Sequence, residues 1–221
     1  MRIYILTLFP KMLEGFITES IIKRAIEKGL VKINIINIRD FTLLKNNQVD
    51  DTPYGGGSGM VLMCEPVVRA IESVKTEQSL VYLMSPSGKT FHDKLAEEIY
   101  NKTKHLILVC GHYEGFDERI KNFVDGEISI GDYILTGGEI PAMAITDCIT
   151  RFIPGVIDTE SFKNESFKEN LLDYPVYTKP RDFRGFKVPE VLLNGDHKKI
   201  AEYRRNEQIR ITKEKRPDLL K

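Results

Sequence analysis

Short runs of β-branched and aliphatic residues alternate with amphipathic helical patterns through the first half of the chain, and this alternation limits the fold more than any other feature. Residues 2–9 (RIYILTLF), 31–38 (VKINIINI), 79–84 (SLVYLM) and 105–109 (HLILV) read as strands. Between them, Met12 to Lys28 closed by Gly29, Pro66 to Lys75 and His92 to Asn101 read as helices. Strands apolar enough to be buried on both faces, separated by helices, predict an α/β fold with a parallel sheet and helices on both faces. A helix from Ile140 to about Arg151 follows, set between Gly137-Gly138 and Pro154-Gly155. These elements give a first domain over 1–156. Residues 157–170 lack a period and are rich in Glu, Lys, Ser and Asn, which predicts a flexible interdomain linker. Asp196 to about Glu214 reads as a charged helix begun by an Asp cap, within a small, mainly helical second domain over 171–221.

The chain has 221 residues, 42% hydrophobic and 29% charged, which is enough to bury a core and excludes a disordered or collagenous class. No apolar run is long enough to span a bilayer, and the first residues lack the layout of a secretory signal, so a cytoplasmic protein without a membrane partner is expected. Cys64, Cys110 and Cys148 are widely spaced and sit beside apolar residues, as reduced structural thiols do. The net charge of zero argues, taken alone, against nucleic acid as a partner. The charge is segregated, however. Residues 179–221 carry a balance of +6 and residues 1–178 a balance of −6. A basic end behind a mildly acidic body is the pattern of a protein that meets phosphates with one part only, although a solvated Lys/Arg helix face would look the same.

Two glycine clusters fail as nucleotide motifs. Gly88-Lys89-Thr90 ends like a phosphate-binding loop, but Leu83 stands where its first Gly belongs. Gly55, Gly57 and Gly59 open like a dinucleotide fingerprint, but Met60 and Leu62 occupy its closing positions. The four His residues show no ligand spacing, so no structural metal is expected. What remains is three polar, glycine-bearing loops at strand ends, where open α/β sheets place their ligands: Ser85 to Gly88, Cys110 to Gly115, and Ile130 to Glu139. Any one could be a simple turn, and their coincidence points to a ligand site. Gly137-Gly138 before a Pro141-led helix would let main-chain groups read the edge of a flat heterocycle.

Several long strings carry a family resemblance: VDDTPYGGGSGM from Val49, CGHYEGFDER from Cys110, SIGDYILTGGEIPAM from Ser129, RFIPGV from Arg151, LLDYPVYTKP, VPEVLLNGDH and the terminal KRPDLL. Together they resemble the bacterial tRNA (guanine-37-N1)-methyltransferases, the TrmD type, along essentially the whole chain. The resemblance implies a SPOUT-class domain with a C-terminal trefoil knot, an obligate homodimer, S-adenosylmethionine as methyl donor and the anticodon stem-loop of tRNA as partner. Mg²⁺ is a candidate second cofactor. Carried over by position, the donor pocket falls on the three loops: Leu83, Met84, Ser85 and Pro86; Gly111, Tyr113, Glu114 and Gly115; and Ser129, Ile130, Gly131, Asp132, Tyr133, Ile134, Leu135, Gly137, Gly138 and Pro141. Asp50 and Gly59 would reach the target guanine or its neighbours. Lys179, Arg181, Arg184, Lys198, Lys199, Arg204, Arg205 and Arg210 would grip tRNA phosphates.

Guanine N1 carries a proton and is a weak nucleophile until it loses it, whereas a sulfonium methyl is already electrophilic. Catalysis therefore requires a base at N1–H and a cation where charge spreads to O6. By resemblance Arg151 is that cation; the alternative is that it merely caps its helix. The family shows Asp-Ser-Phe where this chain has Glu165-Ser166-Phe167, which makes Glu165 the candidate base, with one methylene added, and Asp173 the fallback. His112 stands where some relatives carry Arg. A rival reading is an RNA-binding protein that keeps the donor fold without turnover.

Overall fold

β-Branched residues pack well on a pleated surface, and the runs rich in them become strands in the computed structural model, which describes residues 1–158 and 165–220. Residues 159–164 of the expected linker, and Lys221, lie outside the described residues. Two compact units result, Met1–Ile157 and Asp158–Lys221.

The strands of the first unit are β1 (Arg2–Thr7), β2 (Lys32–Asn37), the short antiparallel pair β3 (Asp50–Asp51) and β4 (Val61–Leu62), β5 (Ser79–Thr90), β6 (His105–Cys110) and β7 (Gly126–Ser129). Five of them form one sheet in the order β2-β1-β6-β5-β7, every neighbouring pair parallel. Strand alternation sends Ile3, Ile5, Leu106 and Leu108 to one face and Leu6, Val81, Leu83, Ile107 and Val109 to the other. The first face is covered by α2 (Ser20–Glu27), which follows the short α1 (Glu14–Thr18), and by two later helices through Ala25, Ala96, Ile99, Ala142, Ile145 and Ile149. The second is covered by α3 (Cys64–Glu72) and a 3₁₀ segment at Glu118–Phe123, through Val67, Ala70, Ile71 and Ile120. The two later helices are α4 (Asp93–Lys102) and α5 (Glu139–Arg151). Fully burying a side chain such as Leu108 contributes about 1.5–3 kcal/mol, so both faces hold the sheet rigid beneath the loops at its end.

The structure corrects two readings of local sequence. The single helix expected over Met12 to Lys28 is broken into a 3₁₀ turn at Pro10–Leu13, α1 and α2. Glu19 is extended and Ser20 has φ +54°, and this interrupts the helical ladder while leaving Ile22 and Ala25 at their buried positions. Gly29, at φ +69°, does close the helix: its N–H reaches Ile26 O at 2.9 Å and the Leu30 N–H reaches Ala25 O at 3.0 Å, a Schellman ending. Ser85 to Gly88, expected as a free loop, is a bulge inside β5: Met84 and Lys89 both face Ile128 of β7, and the residues between are extruded. The glycine-rich segment from Asp50 to Gly59 is irregular and is tied down at its base by the β3 and β4 pairing.

The second unit is organised by α6 (His197–Lys215), which Asp196 caps by accepting the Lys199 N–H at 3.2 Å. Thr212, buried on this helix, accepts the Leu172 N–H at 2.9 Å and donates to Gln208 O at 2.6 Å, which fastens the start of the unit to the helix. A hairpin of β8 (Asp182–Phe183) and β9 (Phe186–Lys187) stands before it, an element the sequence reading did not anticipate.

Candidate functional site

The extruded turn of β5 can exist only because Gly88 lacks a side chain. A Cβ there would land on the Glu127–Ile128 peptide of β7. The turn is braced from within, since the Ser85 and Ser87 hydroxyls lie 2.8 Å apart and Ser87 donates to Glu127 Oε1 at 3.0 Å. Lys121 closes the set, with its Nζ 3.3 Å from Glu127 and 2.9 Å from Glu118. Burial alone would raise the Glu127 carboxyl, but the hydrogen bonds from Ser85, Ser87 and Lys121, with the charge of Lys121, outweigh it and hold the group below its ordinary value.

Two further loops are sewn to this one through main-chain contacts. After β6, Gly111 passes so close to Phe116 that a Cβ would meet the ring at 2.9 Å, and Tyr113 adopts φ +57°. The Glu114 N–H reaches Met60 O at 3.0 Å and the Leu62 N–H reaches Gly115 O at 2.9 Å, which ties this loop to the glycine-rich segment before β4. The Glu114 side chain lies directly against Gly59, where a Cβ would approach its Cγ to 2.6 Å. After β7, the Ser129 hydroxyl and Gly131 exchange hydrogen bonds at 3.0 and 3.2 Å. Gly138 then donates to Gly111 O at 2.8 Å, with its own Cα packed so that a Cβ would sit 2.6 Å from Cys110 Cα. Together the loops enclose a cleft of about 590 Å³ beyond the carboxyl ends of β5, β6 and β7.

Every residue assigned by resemblance to the donor pocket lines this cleft except two. Leu83 lies outside the lining, because strand alternation turns its side chain into the core on the α3 face, where it is fully buried. Asp132 is exposed and outside the lining. Ser87, His112 and Thr136, inside the chosen loops but not assigned to the donor, also line the cleft, as do Phe116, Glu118, Lys121, Glu127 and Ile128, which the sequence reading missed. Their only signal was adjacency to the chosen loops. The buried Nδ1 of His112 has no hydrogen-bond partner among the described residues, and its ring lies 4.7 Å from Phe9.

The ionisable lining is Glu114, Glu118 and Glu127 against Lys121 and His112, and Lys121 is already engaged by two of these carboxylates. Such a lining disfavours a phosphate and suits a cationic ligand, while the main-chain edges from Gly111 to Gly138 suit a flat ring. Among the described residues no cluster of His, Cys, Asp and Glu could hold a metal ion.

Beneath the floor, Glu139 begins α5 only 1% exposed. Its Oε1 accepts from Thr7 Oγ1 at 2.6 Å, and Thr7 in turn accepts the Phe9 N–H at 2.8 Å. Thr7→Val keeps the shape and strands the carboxylate, so stability should fall by about 1–3 kcal/mol. Thermal unfolding of the variant checks this, and an unchanged midpoint would remove Glu139 as a brace.

The other assigned residues are distributed between the units. Arg151 is the half-buried last residue of α5, and Asp50 is half-buried in β3. In the second unit Glu165 is half-buried, and the next residue, Ser166, accepts the Asp173 N–H at 3.0 Å. Asp173 Oδ1 accepts the Tyr174 N–H at 2.7 Å. The eight basic residues assigned to phosphates are all exposed. Among them Arg205 pairs with Glu169, Lys199 with Asp196, and Arg210 with Glu207 and Glu214, surface pairs of small energetic weight.

The family model described as tRNA (Guanine-1)-methyltransferase TrmD matches residues 1–221. A curated relative from Malacoplasma penetrans, named tRNA (guanine-N(1)-)-methyltransferase, is 58% identical over 219 residues, 99% of this chain and 96% of its own. Relatives of the same name from Dictyoglomus turgidum and Clostridioides difficile are 55% identical over 221 residues and 53% identical over 227 residues. Both alignments span 100% of this chain, and they cover 90% and 98% of the respective relatives.

Proposed function

Because the chain belongs to the TrmD family of tRNA (guanine-1)-methyltransferases, we propose that it methylates N1 of guanine 37 in tRNA, beside the anticodon, with S-adenosylmethionine as donor. The observation that carries the reading is the cleft in which main-chain edges face a space whose free side-chain charge is acidic. That lining fits the donor. Gly111, Gly137 and Gly138 would take the adenine, the braced turn at Ser85 and Pro86 would flank it, and Glu114 would lie toward the cationic end. When bound, the donor supplies an electrophilic sulfonium methyl.

The residues of the chain have the remaining work. Glu165 takes the proton from guanine N1, and the Arg151 guanidinium meets the negative charge that grows on O6 as the proton leaves. Asp173 supports the turn that carries Glu165. The exposed cations of the second unit hold tRNA phosphates, which makes binding steeply salt-dependent. The active species in this reading is a homodimer with a knotted first domain. Met12 and Ile140 support the pairing, being exposed apolar side chains on elements that touch each other.

The deciding experiment offers the purified protein a tRNA transcript with guanines at positions 36 and 37 and analyses its nucleosides by mass spectrometry. 1-Methylguanosine at position 37 is expected; methylation at another atom or position overturns the proposal, and tRNA binding without methyl transfer favours the rival reading. The cationic end of the donor provides a second test. Glu114→Gln should weaken binding of S-adenosylmethionine several-fold while leaving S-adenosylhomocysteine, which lacks the sulfonium charge, nearly unchanged by calorimetry. Equal losses for both would remove Glu114 from the charge recognition.

A further inference from the structure

The β8–β9 hairpin displays two phenylalanines to solvent, and neither has a part in the site described above. Phe183 and Phe186 pair directly across the strands and are 59% and 82% exposed. Arg184 and Gly185, both at positive φ as a type I′ turn requires, hold the tip, and Asp182 Oδ1 accepts the Gly185 N–H at 2.9 Å. The Arg184 guanidinium lies 5.3 Å from the Phe183 ring. Lys179, Arg181, Arg184 and Lys187 are exposed on and beside the hairpin, and the one acid of the hairpin, Asp182, is engaged by the turn. Behind it Arg181 and Val188 border a cleft of about 490 Å³ shared with Val176, Tyr177 and Arg204.

Exposed rings forfeit the burial that makes phenylalanine stabilising, about 1.5–3 kcal/mol each, so a two-residue-wide aromatic face on a short hairpin is a poor fold element and a good surface for contact. A cationic frame selects an anionic occupant, and a flat apolar centre selects planar rings. Single-stranded nucleic acid has both properties. We propose that this hairpin is a stacking platform for an unpaired base of the RNA substrate, with Phe186 as the open ring and the Arg184–Phe183 stack beside it. The proposal rests on tRNA being the substrate and adds a base contact where the phosphate grip alone carries no direct sequence information.

The chain contains no tryptophan, so Phe186→Trp installs a unique reporter in the full-length protein. Titration with the same tRNA transcript should quench its emission as the base stacks, and binding that leaves the emission unchanged overturns the proposal. The double substitution Phe183→Ala with Phe186→Ala should weaken tRNA binding by between about fivefold and about a hundredfold. The slope of log affinity against log salt should stay the same, because no phosphate contact is lost. Phe→Tyr at both positions should restore binding. Unaltered affinity, or a shallower salt slope with no quenching, overturns the platform. Loss of the oligomer in sedimentation would overturn it in favour of a contact between two copies. If the unsubstituted protein binds no tRNA, the substrate reading itself fails; if it binds and methylates while the hairpin variants are silent, only the platform fails.

Discussion

Glu165→Gln is expected to leave S-adenosylmethionine binding intact and to lower the single-turnover methylation rate by at least about a hundredfold, the scale of a lost general base. The amide keeps the size of the side chain and cannot accept the N1 proton. Asp173, the other candidate, has Oδ1 committed to the Tyr174 N–H and its own N–H committed to Ser166, so it is built into the turn rather than presented by it. Asp173→Ala should therefore cost less in rate and more in thermal stability than Glu165→Gln. The reverse ranking, read from rapid-quench kinetics and melting on the same proteins, would transfer the base to Asp173. The added methylene of Glu relative to the family's Asp makes Glu165→Asp informative: restored or improved turnover shows that the turn tolerates either reach.

Gly138→Ala is expected to be, with a side chain at Gly88, among the most damaging small substitutions in the first unit. A methyl there meets Cys110 Cα and Gly111 N, main-chain atoms inside a buried strand end that cannot swing aside. Overpacking of this kind costs about 1–3 kcal/mol, several degrees in melting temperature for a chain of this length. Because Gly138 also donates to Gly111 O where the two loops join at the cleft, donor affinity should fall at least about tenfold in calorimetry. Gly15→Ala is the matched control: it sits in α1 with open space around its would-be Cβ and should be neutral or slightly stabilising. Similar behaviour of the two variants would show that the main chain near Gly138 yields easily.

Some of this architecture could be read directly from local sequence, and some depends on residues far apart. β1, β2 and β6 announce themselves because β-branched residues on both faces leave few other ways to be buried. The break at Glu19 and Ser20 is silent, because the apolar positions on either side keep one period through it. The return of Lys89 and Thr90 to the sheet depends on β7 arriving alongside, and no feature of the local sequence carries that. The lip made by Ser87, Lys121 and Glu127 joins residues about 40 positions apart and was equally hidden. The β8–β9 turn is Arg-Gly, outside the Asn-Gly and Asp-Gly pairs that mark tight hairpins most strongly, and it too went unread. The three glycine-bearing loops were legible because they recur together at strand ends, where open α/β sheets place their ligands, although any one alone could be a simple turn.

The seams between those loops have a consequence for inhibition. A compound that reads the cleft through the Gly111 and Gly137-Gly138 backbone meets atoms that every amino acid shares, so a change of side chain there cannot simply erase its contacts. Escape would have to act through the glycines themselves, where each added carbon collides with neighbouring main chain or with Phe116 and Glu139. Resistance at this surface would thus be selected against by folding before it could be selected for by the drug.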